Sequence, residues 1–98
     1  MQFEWDEGKN RTNIRKHGFD FADTAQIFAG PMLVRLDTRE DYGEDRWQGI
    51  GTLRGRVVVA VFVQKDANTI RMISLRKATR REKSAYQKII AYGLETHR

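Results

Sequence analysis

Hydrophobic positions change their period near residue 32, and that change divides the chain into two groups of predicted elements. Ahead of it, Phe3-Glu4-Trp5 predicts a very short edge strand or an N-terminal arm laid on a sheet. The polar segment Glu7 to His17 follows. Asp6 is placed to cap its first turn and Gly18 to end it, a pairing that predicts a helix. Asn10, Ile14 and His17 fall on one side of that helix, so its apolar face is thin. A second helix is expected from Asp20 as cap to Gly30-Pro31 as stop, with Phe21, Ala25 and Phe28 recurring at i, i+4 and i+7.

Beyond Pro31 the pattern is that of strands: Met32 to Leu36, Arg46 to Leu53, Arg56 to Val63 and Thr69 to Leu75. Their connections are too short for parallel crossovers, so an antiparallel meander is expected. Arg56 to Val63 is apolar on both faces and belongs at its centre. A last helix begins near Thr79, where Thr79-Arg80-Arg81-Glu82 has the form of a capping box. Its apolar side is read as Ala85, Ile89 and Tyr92, with Tyr86 and Ile90 beside them, and Gly93 as its end. The expectation is one α+β domain over residues 1–98. A central four-stranded antiparallel sheet, with a short N-terminal strand, carries two N-terminal helices and one C-terminal helix. With 98 residues, 40% of them hydrophobic, the chain suits one core.

Composition narrows the class. There is no cysteine, hence no disulfide or thiolate metal site, which is compatible with a reducing cytoplasm, the expected location. The longest apolar run, Val57 to Val63, is far below the roughly 20 residues a bilayer requires, so no membrane association is expected. The N-terminus has neither a basic nor an apolar stretch of the kind that directs export.

Charge changes the picture most. Residues 1–45 hold six Lys/Arg and ten Asp/Glu, whereas residues 46–98 hold twelve and three. A basic half of this kind concentrates a polyanion, and RNA is the expected partner. The densest segment is IRMISLRKATRREKSAY at 70–86. Strand period places Arg71, Ile73 and Leu75 on one face and Ile70, Met72, Ser74 and Arg76 on the other. Arg80 and Arg81 enter the first turn of the last helix, where cations oppose the helix dipole by about 0.3–1 kcal/mol each. A phosphate there reverses the sign, which makes Arg76, Lys77, Arg80 and Arg81 candidate phosphate contacts. A merely solvated basic face is the competing reading.

His17 is a candidate for proton transfer, or alternatively a C-terminal helix cap, and Lys16 beside it is a candidate backbone contact. Arg46 and Gln48 share a strand face that would make a polar floor near the arginine-bearing strand; a surface ladder of cross-strand pairs is the alternative. There is no C-x-x-C, H-E-x-x-H, glycine-rich phosphate loop or G-x-S-x-G elbow, and no cofactor or metal is expected.

Three segments, FEWDEGKNRTNIRKHGFDFADTAQIF at 3–28, DRWQGIG at 45–51 and IRMISLRKATRREKSAY at 70–86, resemble the BrnT-type toxins of bacterial type II toxin–antitoxin systems. The most specific matches are W-D-x-x-K-N-x-x-N-x-x-K-H-G over Trp5 to Gly18 and R-x-I-S-x-R-x-A over Arg71 to Ala78. The resemblance implies a RelE-like fold, metal-independent RNA cleavage that inhibits translation, and a cognate antitoxin. It further implies that the antitoxin carries a ribbon-helix-helix DNA-binding region and that operator DNA is reached only through it.

On this reading the 2′-hydroxyl of RNA is the internal nucleophile. Arg76 with Arg80 or Arg81 stabilises charge and Arg46 lies on the cleft floor. Lys77, Lys16 and Arg71 hold phosphates, and His17 is base or acid, with Lys77 or Glu82 as its substitute. The alternative is a non-catalytic module that binds nucleic acid or the antitoxin.

Overall fold

A computed structural model describes the backbone of residues 1–96 and side chains through residue 91. The element order is β1 (Gln2–Glu4), α1 (Glu7–His17), a 3-10 turn (Phe21–Asp23) leading into α2 (Thr24–Phe28), β2 (Leu33–Leu36), β3 (Trp47–Leu53), β4 (Arg56–Asp66), β5 (Thr69–Lys77) and α3 (Arg80–Thr96). The five strands form one sheet in the order β1-β5-β4-β3-β2. Strands β2 to β5 are antiparallel, and β1 lies parallel to β5.

Local signals explain most boundaries. Asp6 accepts the Lys9 N–H at 2.9 Å, and Gly18 ends α1 in the left-handed region at φ 78°. Arg54 and Gly55 both take positive φ, the requirement of the tight hairpin between β3 and β4. Thr79 and Glu82 exchange their capping-box hydrogen bonds at 2.8 and 3.2 Å.

Two hydrophobic clusters sit on the two faces of the sheet. Phe21, Ile27, Leu53, Val58, Ala60, Phe62, Ile70, Met72 and Leu75 make the larger, on the face toward the α1–α2 segment. Gly51 is required within it, because a β-carbon there would meet Ile27 Cγ2 at 2.9 Å. On the opposite face Ile50, Val57, Val59, Ala78 and Tyr86 form the smaller cluster beneath α3. The Tyr86 hydroxyl donates to Pro31 O at 2.8 Å and ties α3 to the start of β2.

Four expectations are corrected. The second helix starts as a 3-10 turn, whose period of three buries Phe21, Thr24 and Ile27, while Ala25 is exposed. Helix α1 packs through Asn10 and Asn13, and Ile14 is exposed. Asn10 donates to Asp20 and accepts from Phe21 N, so this polar face is anchored by hydrogen bonds in place of apolar burial. In α3, Tyr86 is buried and Ile90 half-buried, whereas Ala85 and Ile89 face solvent; the Tyr92 side chain lies outside the described residues. The helix also passes through Gly93 to Thr96, since a glycine costs a helix interior only about 1 kcal/mol.

The correction that matters most for function lies in β5. Val61 pairs with Ser74 and Phe62 with Met72, so Ile73 is an extra residue in a β-bulge. The bulge restarts the alternation. Leu75 joins Ile70 and Met72 in the larger core, and Arg76 turns to the same face as Arg71, where the uninterrupted period had separated them.

Candidate functional site

The face of the sheet that carries α3 packs against that helix through Ile50, Val57 and Val59. Further along it, Val61 and Val63 of β4 are flanked by polar residues of β3 and β5, and the register fixes which side chains are neighbours. Arg76 pairs with Val59, Ser74 with Val61 and Arg71 with Val63 along β5 and β4. Gln48 pairs with Val61 from β3 and with Arg35 from β2, and the Arg35 Nε–H donates to Gln48 Oε1 at 3.0 Å. Arg46 immediately precedes β3, and its carbonyl accepts the Asp37 N–H at 2.7 Å, which extends the β2–β3 pairing by one step. Arg71, Arg76, Arg46 and Arg35 thus stand on one surface.

Each of three arginines is held by an acid or a ring. Arg76 donates through Nη1 and Nη2 to the two oxygens of Glu82 at 2.8 and 2.9 Å, the bidentate geometry that only a guanidinium supplies. The Arg76 guanidinium, with help from the Thr79 N–H, holds Glu82 at about 2 against the opposing effect of its burial. Such a carboxylate is ionised near neutrality and is a weak base, so Glu82 does not suit the substitute acid–base role expected for it. It is the clamp that orients Arg76 and caps α3. Arg71 is bound by Glu44 at 2.7 Å, and Arg46 stacks on the Tyr42 ring with 4.1 Å to its centroid.

The remaining basic candidates lie elsewhere on the surface. Lys77 and Arg80, with Lys83, line a recess in front of α3. Arg81 and Arg80, with Lys88, line a second along that helix, so Arg80 borders both. Lys77, Arg80, Arg81 and Lys16 have no acid partner among the described residues. The four cations expected to act together therefore divide: Arg76 turns to the sheet face, and Lys77, Arg80 and Arg81 surround the start of α3.

His17 and Lys16 line a third place, a cleft of about 410 Å³ between α1 and the outer edge of β5. Asp6, Gly8, Lys9, Thr12, Asn13, Ile73 and Ser74 complete it. The cleft and the arginine face meet at Ser74, which lines the cleft and lies between Arg71 and Arg76 on β5. Sequence reasoning missed Lys9 and Thr12, although Lys9, Thr12 and Lys16 recur at helical spacing on one side of α1. It also missed Arg35, which becomes legible only once β2 is registered against Gln48.

Comparison with known proteins agrees with this architecture. The model of a family described as the ribonuclease toxin BrnT of type II toxin–antitoxin systems matches residues 5–82. The crystal structure of the Brucella abortus ribonuclease toxin BrnT is similar, with a TM-score of 0.64 and 32% identity, over 82% of this chain and 99% of that one. No curated protein sequence matches. The family match takes in α1 with its Asn10–Asn13 face, all of β2 to β5 and the capping box of α3, and on that ground the chain belongs to the BrnT family of ribonuclease toxins.

Proposed function

We propose that this chain is an endoribonuclease that cleaves RNA without a metal ion, acting as one toxin domain of RelE-like fold. The observation that carries the reading is the meeting, at Ser74, of a four-arginine sheet face with a lysine- and histidine-lined cleft. Cleavage needs the scissile phosphate held, its extra negative charge stabilised, and two protons moved. The base takes the proton of the 2′-hydroxyl as its oxygen attacks phosphorus, and the acid protonates the departing 5′-oxygen. The products are a 2′,3′-cyclic phosphate and a 5′-hydroxyl end.

Arg76, oriented by Glu82, is assigned to charge stabilisation, with Arg80 or Arg81 approaching from the start of α3. Arg46 and Arg71 hold phosphates on the sheet face, and Lys77 and Lys16 attract the flanking backbone. His17 is the assigned proton-transfer group, because the cleft it lines opens beside Ser74. End-group analysis of the cleaved RNA tests the chemistry. Cyclic phosphate termini are expected, and 5′-phosphate termini would exclude the 2′-hydroxyl as nucleophile.

In the cell this activity would inhibit translation in the cytoplasm, and a cognate antitoxin would neutralise it. The resemblance to the family supports an antitoxin with a ribbon-helix-helix region, so that operator DNA is reached only through it. The exposed cations Arg80 and Arg81, which have no acid partner among the described residues, are the expected anchors for an acidic antitoxin segment. Charge reversal at both, with co-purification as readout, tests this; unchanged affinity would remove them as anchors.

A further inference from the structure

We infer that Glu44 occupies the place of an RNA phosphate between Arg71 and Arg46, and that substrate exchanges with this carboxylate when it binds. The inference rests on the RNA reading above and adds a second phosphate subsite with a built-in occupant. Arg71 pairs with Val63 on the sheet face, Arg46 stands just ahead of β3, and Glu44, near the end of the acidic loop 37–45, contacts both arginines.

The fit of this carboxylate is incomplete. Both Glu44 oxygens accept from one nitrogen of Arg71, Nη2, at 2.9 and 2.7 Å. Arg46 Nε lies 3.8 Å from Glu44 Oε2, beyond hydrogen-bond range, and is buried with no hydrogen-bond partner among the described residues. A buried charged donor without an acceptor is a costly arrangement, and it marks a position where an oxygen belongs. A phosphodiester has two non-bridging oxygens on a tetrahedral centre, so one can meet Arg71 while the other meets Arg46. Stacking on Tyr42 already fixes the Arg46 guanidinium for that approach.

The two arginine–glutamate pairs on this face differ in how readily they exchange. Glu82 gives one oxygen to each arm of Arg76 and accepts the Thr79 N–H, so it cannot leave without uncapping α3. Among the described residues Glu44 is hydrogen-bonded by the Arg71 side chain alone and forms a looser ion pair with Arg46, and it is 34% exposed beside an Arg71 that is 38% exposed. A phosphate arriving from solvent can reach it.

The registers of Arg71 and Arg76 on β4 are four residues apart, roughly 13 Å along the strand. One phosphate cannot span that distance. The Glu44 site therefore takes a different phosphate of the same strand from the one beside Arg76.

The test is affinity for a short single-stranded RNA carrying 2′-O-methyl groups, which cannot be cleaved through the 2′-oxygen, measured for the parent, Glu44→Gln, Arg71→Ala and the double variant. Glu44→Gln should tighten binding about tenfold, because a like charge leaves the path of the phosphate. That gain should vanish when Arg71→Ala is added. Inorganic phosphate, titrated while the Arg46 Nε–H resonance is followed by NMR, should shift that signal more in Glu44→Gln than in the parent. If the parent binds the RNA and Glu44→Gln binds it no more tightly, the exchange is overturned and the RNA reading survives. If neither protein binds RNA or phosphate, both fall together.

Discussion

Asn13 and Leu75 stand 62 positions apart and exchange two hydrogen bonds as two strand residues would: the Leu75 N–H donates to Asn13 Oδ1 at 3.0 Å, and Asn13 Nδ2 donates to the Leu75 carbonyl at 2.9 Å. The same amide donates to Phe19 O at 2.9 Å. Strand β1 pairs with β5 only as far as Arg71, and a side chain of α1 takes over the open edge further along. Asn13→Ala strips partners from three buried backbone groups, and a loss of about 2–4 kcal/mol is expected in urea unfolding. Asn13→Asp keeps the acceptor but removes both donors and should lose a comparable amount. An unchanged urea midpoint for either variant would contradict the staple.

The pair Arg76–Glu82 makes stability depend on acid. Folding lowers the Glu82 pKa from 4.5 to about 2, chiefly through the Arg76 hydrogen bonds. Its stabilisation is therefore complete above pH 4.5 and is lost as pH falls from 4.5 through about 2. For this largely covered side chain the contribution is about 2 kcal/mol. Glu82→Gln should lower stability at pH 7 by that order and flatten the decline across the same window. A parallel decline in parent and variant would place the acid sensitivity elsewhere, with Asp37, also held at about 2 by Arg39, the next group to change.

Arg76 should matter for rate beyond its part in the fold. Arg76→Ala and Arg80→Ala are each expected to slow RNA cleavage about a hundredfold or more, the loss of roughly 2.7–4 kcal/mol of transition-state stabilisation. Arg76→Lys should not restore the rate, since an ammonium cannot make two parallel bonds to Glu82. Rates are to be compared below the unfolding transition of each variant. Activity within twofold of the parent for both alanine variants would sink the assignment.

His17 and Lys16 share a cleft yet should separate kinetically. His17→Gln is expected to lower the rate at saturating RNA by about a hundredfold while leaving RNA affinity in place. Lys16→Ala should leave that saturating rate in place, weaken binding, and reduce the salt dependence of affinity by about one phosphate contact. If His17→Gln kept the parent's saturating rate, proton transfer would belong to another group.

Local chemistry was readable from the sequence wherever it decided the structure. Asp6 and Gly18 bound α1, Arg54-Gly55 turns the hairpin, and Thr79 with Glu82 caps α3. Faces were harder to read, because each depends on a partner outside its own segment. The 3-10 entry to α2 moved burial from Ala25 to Thr24 and Ile27. The Ile73 bulge brought Arg76 to the side of Arg71. The sequence placed Asn10 on one side of α1 with Ile14 and His17 and gave no sign of Asn13; the partners that bury these two amides, Asp20, Phe21 and Leu75, come from outside the helix. The basic residues were visible as a segment, but their division among the sheet face, the start of α3 and the α1 cleft belongs to the tertiary fold.

The most direct test of the central claim is cleavage of a labelled, defined RNA by the purified chain in excess EDTA. Metal-free catalysis by the arginine face and the His17 cleft requires product at the same rate with and without the chelator, and much less product with Arg76→Ala. Cleavage that appears only when a divalent ion is restored would contradict the proposed mechanism, and salt-sensitive binding with no product under either condition would leave a binding module in place of an enzyme.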